Sequence, residues 1–385
     1  MSATEGEYLH DLRETLRRFV DKEMPRDVVA QWDRENRFPR EVFRKLADLG
    51  VLGLTVPEEH GGLGRDIVAT MAVIEELSKR SLAVAIPYIN AACYAGMNIV
   101  ECGTPEQKAS ILPRVVSGDM IFAYGWTEPD VGADLASVRT RAQRVGGTIT
   151  VNGAKRFCTG AEESDYLYTL VRTGPESERH RNLTLLLIPS RHPGVRIERI
   201  HALGLHGFST TDVTFDNVEV GLDAIVGGEQ AWNGAWPMIV GPGLDVEKLE
   251  VAAMALGVGA AALADAWSYA GERRQFGKTI SEYQSIRHKL ADMKTQLHAA
   301  RLVLYHAAGL AQRRLPCSGE TSMAKLLATE ACKAIALECQ TIHGAYGYVK
   351  EFDVERCVRD AIGLPIIGGS SAIQRNNIYK WINRS

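Results

Sequence analysis

The sequence predicts an α+β fold with the order helical, β, helical. Two observations support this: apolar residues recur at helical spacing at both ends of the chain, and short β-branched or aromatic runs, separated by polar turns, fill the middle. We therefore expect an N-terminal helical domain at residues 1–120, a β-barrel or sandwich domain at 121–228, and a C-terminal helical bundle at 229–385.

The N-terminal domain shows its helices most clearly near its two ends. Helical spacing is evident in the first segment, at Leu9, Leu12, Leu16 and Phe19. Near the end of the domain, Thr104 supplies an N-cap and Pro105 a first-turn proline. A helix is expected from there to about Val116.

The residue pattern predicts strands in the middle domain and helices again in the last domain. The predicted strands are 148–151, 166–171, 183–188, 195–200 and 211–215. A long helix is expected from Leu244 to Tyr269, followed by a loop at 272–279. Further helices are predicted at about 281–314, 320–343, 350–361 and 371–383.

Composition narrows the functional classes. Of 385 residues, 45% are hydrophobic and 24% charged, as in a globular protein, and the net charge of −3 argues against nucleic acid as a partner. The seven cysteines form no CxxC pair, which favours reduced thiols over disulfides or a metal site. The polar N-terminus carries no secretory signal and no apolar run approaches membrane-spanning length, so a cytoplasmic protein without membrane contact is expected.

The segment Tyr124-Gly-Trp-Thr-Glu-Pro-Asp-Val-Gly-Ala-Asp134 resembles the first flavin-contacting segment of the acyl-CoA dehydrogenase family. The resemblance implies FAD as cofactor. It also implies that Tyr124, Trp126 and Thr127 contact the flavin, with Thr127 bonding the pyrimidine edge of the ring. Ala133 stands where the family usually has a serine that contacts the acyl-CoA, so that hydroxyl contact is missing.

A second segment, Asn152-Gly-Ala-Lys-Arg-Phe-Cys-Thr-Gly160, is similar to the family's Asn-Gly-x-Lys-x-Trp-Ile-Thr-Asn. By this resemblance Phe157 would stack near the flavin in place of the usual tryptophan. Thr159 would donate a hydrogen bond toward N5, the atom that receives hydride.

Two further motifs resemble the family's contacts with the rest of FAD. In Glu272-Arg-Arg-Gln-Phe-Gly-Lys-Thr-Ile-Ser-Glu-Tyr-Gln284, the resemblance implies that Arg273, Phe276 and Gln284 bind FAD from a neighbouring subunit, and hence a homo-oligomer, either dimer or tetramer. In Thr341-Ile-His-Gly-Ala-Tyr-Gly-Tyr348, Thr341 and Gly344 would lie at the pyrophosphate. His343 is expected to be a packed structural residue.

The C-terminal segment Leu364-Pro-Ile-Ile-Gly-Gly-Ser-Ser-Ala-Ile-Gln-Arg-Asn376 departs from the family in one respect. Most members carry the catalytic glutamate at the position of Gly368. A glycine cannot act as a base, but the resemblance implies that its N–H still helps to polarise the thioester carbonyl. The resemblance also implies that Ser370 contacts FAD.

Glu247 is the candidate replacement base. It lies in Leu244-Asp-Val-Glu-Lys248, where isovaleryl-CoA dehydrogenase and some other members carry theirs. The resemblance implies that Asp245 contacts the pantetheine arm and that Lys248 replaces the usual arginine at the substrate. The alternative is an ordinary acid that stabilises the helix dipole in the first turn. Glu250, one turn further on, could share the cavity but has no family counterpart.

The expected function is a FAD-dependent dehydrogenase of an acyl thioester, carried by CoA or an acyl-carrier protein, with electron-transfer flavoprotein as acceptor. A γ,δ-desaturation is a variant of this prediction. The alternatives are an enoyl-thioester reductase, a flavin monooxygenase, or an FAD-binding subunit of a heteromeric dehydrogenase.

Overall fold

The computed structural model describes residues 6–383, and it confirms the predicted fold class. The first helices follow one another closely: α1 (Glu7–Glu23), α2 (Arg26–Glu35), α3 (Arg40–Asp48), α4 (Ile67–Ser78), α5 (Leu82–Tyr88), a π-helical segment (Ile89–Met97), α6 (Asn98–Cys102) and α7 (Pro105–Val116). Helix α7 begins as predicted. The Thr104 hydroxyl accepts from Gln107 N at 3.2 Å, and Gln107 Oε1 accepts from Thr104 N at 3.0 Å.

The middle of the chain forms one curled sheet from the strands β1 (Phe122–Gly125), β2 (Arg141–Val145), β3 (Thr148–Thr159), β4 (Tyr166–Arg172), β5 (Leu183–Pro189), β6 (Val195–Arg199) and β7 (Thr210–Gly221). The strand order is β1-β4-β2-β3-β7-β6, and β5 pairs with the other edge of β4. Strands β1 and β2 pair in turn along a single edge of β4, both parallel to it. The connection between β1 and β2, which carries the first motif, therefore starts and ends at that edge.

The C-terminal part contains α8 (Trp236–Val240), α9 (Pro242–Glu272), a two-stranded hairpin of β8 (Arg274–Gln275) and β9 (Lys278–Thr279), α10 (Gln284–Gln312), α11 (Ser318–His343), α12 (Val354–Gly363) and α13 (Ser371–Ile382). At 1.5 Å per residue, α9 is roughly 46 Å long. It begins two residues before the predicted start, which places Glu247 in the second turn and not the first.

The N-terminal and C-terminal helices share one apolar core. Trp32 from α2, Leu249 from α9 and Leu297 from α10 belong to the same buried cluster. Two smaller clusters cover the two faces of the sheet, one of them against α7 through Ile111 and Leu112. Helix α9 lies inside the large cluster, so the position of Glu247 is fixed by packing along much of the helix.

Two helical stretches, Leu82–Cys102 and Trp236–Glu272, are long and apolar enough to cross a membrane by length and composition. The prediction that no apolar run approaches that length is wrong by this measure. Within the protein, however, 89% of the apolar window is buried in the first stretch and 78% in the second. Such burial is ordinary for core helices.

Candidate active site

The first two motifs meet at the edge of the sheet. The backbone N–H of Arg156, in β3, donates to the carbonyl of Thr127 at 2.8 Å. Lys155 Nζ donates to the carbonyl of Trp126 at 3.1 Å. The stretch after β1 is thereby fixed against β3, and the two segments predicted to contact flavin form one continuous surface.

A buried ion pair holds this surface in place. Lys155 Nζ lies 2.8 Å from Glu128 Oε1, and Glu128 also accepts from Arg139 N at 2.6 Å and Thr140 N at 2.8 Å. Burial opposes the charge of Glu128, but Lys155 and the two backbone donors outweigh it and lower the pKa of this carboxyl. No role for this pair was predicted from the sequence. Both residues lie inside the quoted motifs, but only the fold shows that they touch.

Phe157 and Thr159 lie on the outer part of this surface. Phe157 has a φ of +61° and its side chain is 56% exposed. A left-handed backbone at an exposed aromatic residue costs of order 1–3 kcal/mol, and such strain concentrates at ligand sites. Nearby, the Thr159 and Thr210 hydroxyls lie 3.1 Å apart. Gly160 follows at φ +80°, where a Cβ would overlap the ring of Phe208.

An aromatic stack adjoins the same surface. The ring of Tyr124 lies 3.7 Å from that of Tyr94 and 4.5 Å from that of Trp126, nearly parallel to both. The Tyr124 hydroxyl accepts from the side chain of Asn98. The indole N–H of Trp126 is buried, and no partner for it exists in the described part of the chain. It is therefore a donor available to a ligand.

Glu247 faces this stack from α9. The residue is partly exposed, and protein surrounds most of its carboxyl. Burial raises the pKa of Glu247 to about 7, against the opposing positive charges of Lys248 and Lys325. Burial, followed by the charge of Glu247, also raises the pKa of the Tyr94 and Tyr124 hydroxyls. The carboxyl is thus close to both rings and is poised near neutrality.

Lys325, which sequence reasoning missed, stands between Glu247 and the C-terminal loop. The residue is fully buried, and Nζ donates to the carbonyls of Gly369 at 2.8 Å and Pro365 at 3.3 Å. Burial lowers the pKa of Lys325 to about 8, although Glu330 and Glu247 favour its charged form. No local sequence signal marked it, because its partners lie about 40 positions further along the chain.

Gly368 lies in the loop that Lys325 holds. Its φ is +57°, and a Cβ built on it would lie 2.9 Å from Cγ2 of Val251 on α9. Its carbonyl accepts from Gln374 Nε2 at 3.3 Å. The structure therefore places Gly368 against the same face of α9 as Glu247, with little room for a side chain.

Asp245 and Lys248 lie in an internal network near the start of α9. Lys248 is 3% exposed, and Nζ lies 2.9 Å from Asp245 Oδ1. The Thr321 hydroxyl donates to the same oxygen at 3.1 Å. This placement favours a positioning role for Lys248 over the substrate contact predicted from the sequence, whereas Asp245 stays partly accessible.

The remaining predicted residues of this region occupy ordinary local positions. Ala133 is exposed in the connection between β1 and β2. The Ser370 hydroxyl caps α13 by accepting from Ile373 N at 3.4 Å. Neither position is tied directly to Glu247 by a hydrogen bond or ion pair within residues 6–383.

The third and fourth motifs meet each other, but at the far end of α9. The guanidinium of Arg273 lies 5.5 Å from the centre of the Tyr346 ring. Phe276 is 93% exposed at the tip of the β8–β9 hairpin, and Gln284 is exposed at the start of α10.

In the fourth motif, Thr341 is exposed, and its hydroxyl donates a hydrogen bond to the carbonyl of Leu337 at 3.0 Å. Gly344 has a φ of +61°.

His343 packs within this group, as predicted. Its Nδ1 lies 2.9 Å from Cys339 O, and its ring stacks on that of Tyr269 at 4.2 Å. Tyr269 is 22 residues after Glu247, so the two ends of the predicted site are roughly 33 Å apart along the helix. Within one chain, the first two motifs and Glu247 therefore lie far from the last two motifs.

The comparisons with known proteins cover this whole arrangement. Family models for the N-terminal, middle and C-terminal domains of acyl-CoA dehydrogenases match residues 7–119, 123–218 and 236–383. The chain belongs to the acyl-CoA dehydrogenase family. It is an oxidoreductase of the type that acts on CH–CH groups, and the cofactor of the family is FAD.

Three similar proteins show the range of the acyl-CoA dehydrogenase family. An acyl-CoA dehydrogenase of Bacillus subtilis (strain 168) is 37% identical over 96% of this chain and 97% of its own. The caffeyl-CoA reductase-Etf complex subunit CarC of Acetobacterium woodii is 32% identical over 94% and 95%. The structure of the prolyl acyl carrier protein oxidase AnaB superimposes with a TM-score of 0.91 at 28% identity, covering 98% of this chain and 100% of that one.

The residues on the sheet edge fit the cofactor of acyl-CoA dehydrogenases. The indole N–H of Trp126, which has no partner within residues 6–383, borders one surface together with the exposed Phe157 and the Thr159 hydroxyl, beside a flat aromatic stack. A planar ring system with acceptor atoms on its edge would cover the aromatic surface and satisfy the buried donor.

Proposed function

We propose that this enzyme oxidises an acyl thioester to its unsaturated form and that Glu247 is the base. The observation that carries the proposal is the position of Glu247: a carboxyl with a pKa of about 7 beside Tyr94 and Tyr124, opposite a loop in which Gly368 has no side chain. A base of that strength suits removal of an α-proton near neutral pH.

When bound, FAD supplies the hydride acceptor for the β-hydrogen. We assign the flavin ring to Tyr124, Trp126, Thr127, Phe157 and Thr159, with Ser370 as a further contact. The two ends of α9 are too far apart to serve one flavin ring, so Arg273, Phe276, Gln284, Thr341 and Gly344 would complete the FAD site of a second copy of this chain. The almost fully exposed Phe276 supports such a homo-oligomer.

The thioester would lie between α9 and the Gly368 loop. The N–H of Gly368 would polarise the thioester carbonyl, which strengthens the acidity of the α-proton that Glu247 removes. Asp245 is placed to contact the pantetheine arm. Ala133 offers no hydroxyl to the acyl carrier, so a carrier protein is a substrate class alongside CoA, and the similarity to a prolyl acyl carrier protein oxidase supports it.

Electron-transfer flavoprotein is the proposed acceptor, and the reductase direction is a second candidate. Both rest on the similarity to a relative named as a subunit of a caffeyl-CoA reductase-Etf complex. In that direction Glu247 in its protonated form would deliver the proton to Cα. The pKa of about 7 allows either protonation state near neutrality.

The test is to mix the FAD-loaded protein anaerobically with saturated and α,β-unsaturated acyl thioesters of CoA and of a carrier protein. Loss of the visible flavin absorbance with a saturated thioester is the expected result. Reoxidation of dithionite-reduced protein by an enoyl thioester, without bleaching by any saturated one, would favour the reductase. No response to either class would contradict the proposed function.

Replacing Lys325 by Met should shift the pH dependence of this reaction upward. The ammonium of Lys325 favours the ionised form of Glu247, so its loss raises the pKa of Glu247 above about 7. The base must be ionised, and the rate of flavin reduction should therefore rise only at higher pH than in the wild type. Rates measured from pH 5.5 to 9 test this. Lys294→Met is the control, since Lys294 is an exposed lysine of α10.

A further inference from the structure

Glu250 is a second buried carboxyl, one helical turn after Glu247, and the proposed mechanism does not use it. The residue is 1% exposed, and Oε2 has no hydrogen-bond partner in the part of the chain that the structure describes. Its side-chain contact is a hydrogen bond with the thiol of Cys93, which is a weak partner. Buried polar atoms are rarely left without a partner, so the free oxygen needs an explanation.

No charge in the surroundings compensates this carboxyl. The influences on it are burial and the negative charge of Glu247, which raise its pKa well above the ordinary value, and the Cys93 bond, which opposes them. No cation of residues 6–383 is among these influences. Burial beside Glu247 therefore favours the protonated form of Glu250, and one oxygen of this carboxyl has no hydrogen-bond partner within residues 6–383.

Glu250 lies beside the space where the acyl group would enter. Tyr94 is in reach of both carboxyls, since Glu247 and Glu250 each raise the pKa of its hydroxyl after burial. Its ring stacks on that of Tyr124, and the residue is partly exposed. Cys93 and Tyr94 both belong to the π-helical segment Ile89–Met97, and π-helical turns are frequent at functional sites.

The bond between Cys93 and Glu250 joins the π-helical segment to α9. Three residues of helix rise place Glu250 roughly 4.5 Å beyond Glu247 along α9. That is the length of about three carbon–carbon bonds. An acyl group with Cα at Glu247 would therefore bring atoms about three bonds further on to Glu250.

We propose that Glu250, with Cys93, forms the polar end of the acyl pocket and selects short acyl thioesters that carry an amide or hydroxyl group at their distal end. This inference rests on the proposed function and names its substrate class. A distal amide or hydroxyl can both donate and accept, so it would satisfy the free oxygen of Glu250 whether or not that oxygen carries the proton of the acid. An apolar chain of the same size would leave it unpaired, and a distal carboxylate would meet two acids.

The experiment compares acyl groups of equal size. The two probes are pantetheine thioesters. The 4-amino-4-oxobutanoyl group ends in an amide, and the 4-methylpentanoyl group, of about the same size, ends in an isopropyl group. Their binding to the FAD-loaded Glu247→Gln protein is measured by perturbation of the flavin spectrum, so that no turnover intervenes. The amide should bind at least about tenfold more tightly, as expected for one hydrogen bond to a buried polar group that otherwise has no partner within residues 6–383.

Variants of Glu250 test whether this residue causes the preference for the terminal amide. In the same protein, Glu250→Leu should abolish the preference, whereas Glu250→Gln should keep it because an amide, like the protonated acid, can both donate and accept a hydrogen bond. Glu272→Leu, on the exposed end of the same helix, should change nothing. Equal binding of the two thioesters to the parent protein would overturn the inference without any variant. A preference that survives Glu250→Leu would also overturn it.

The two proposals can fail separately. If wild-type protein shows no flavin reaction with any thioester but the amide still binds more tightly in a Glu250-dependent way, the proposed function fails and the pocket assignment stands. If the flavin is bleached equally well by both acyl groups, and they also bind equally, the assignment of Glu250 fails and the proposed function stands.

Discussion

Replacing Glu247 by Gln should lower the rate of thioester-driven flavin reduction by roughly 10²–10⁴-fold, the contribution typical of a positioned general base. The amide has nearly the same shape but cannot take up the α-proton. Flavin content should remain unchanged, since Glu247 is not among the residues assigned to FAD. Stopped-flow absorbance after anaerobic mixing measures the rate, and the bound flavin is quantified after denaturation. Glu272→Gln is the control on the same helix.

The wild-type reaction should also depend on pH through this residue. Burial raises the pKa of Glu247 to about 7, and only the carboxylate accepts a proton, so the rate should rise with pH to a plateau above about 7. In Glu247→Gln the residual rate should lose this rise. Near-normal reduction by the variant would remove Glu247 from the role of base.

Introducing a glutamate at position 368 should not restore activity to the Glu247→Gln protein. The backbone there has a φ of +57°, which costs a residue with a side chain roughly 1–2 kcal/mol, and a Cβ would lie 2.9 Å from Cγ2 of Val251. We expect the double variant Glu247→Gln/Gly368→Glu to stay at the residual rate of the single variant and to unfold at a lower temperature.

Replacing Val251 by Ala separates the steric contact with Val251 from the backbone cost at position 368. In the triple variant that adds Val251→Ala, the steric contact is gone and only the backbone preference remains. Partial recovery in the triple variant would assign the block to Val251. Full recovery in the double variant would show that the loop accommodates a base without rearrangement, which would contradict the packing described for Gly368.

Local patterns predicted much of this fold because the responsible interactions are local. The capping of α7 by Thr104 and Gln107 involves neighbours in sequence, and so does the alternation of residues in the strands. The long helix was also predicted, but its start was placed two residues late. That small error matters at Glu247, because the helix dipole acts mainly in the first turn and Glu247 lies in the second.

The parts of the site that the sequence did not predict depend on contacts between distant segments. Lys325 reaches the Gly369 carbonyl across 44 positions, and Lys155 pairs with Glu128 across 27. The spacing of residues gives no sign of such pairs. The same holds for Glu250, whose free oxygen became evident only when burial and partners were known. The separation of the motifs along α9 likewise follows from helix length, not from any one motif.

The two acids on α9 have a consequence for the free energy of folding. A carboxyl whose pKa is higher in the folded chain than in the unfolded chain stabilises the fold fully below its unfolded value, and that contribution is lost as pH rises through the folded value. For Glu247 the window runs from 4.5 to about 7, and the loss reaches up to about 3 kcal/mol. Glu250 acts in the same direction. The contribution of these two acids to the stability of the apoprotein is therefore smallest in the pH range where the base is ready to react.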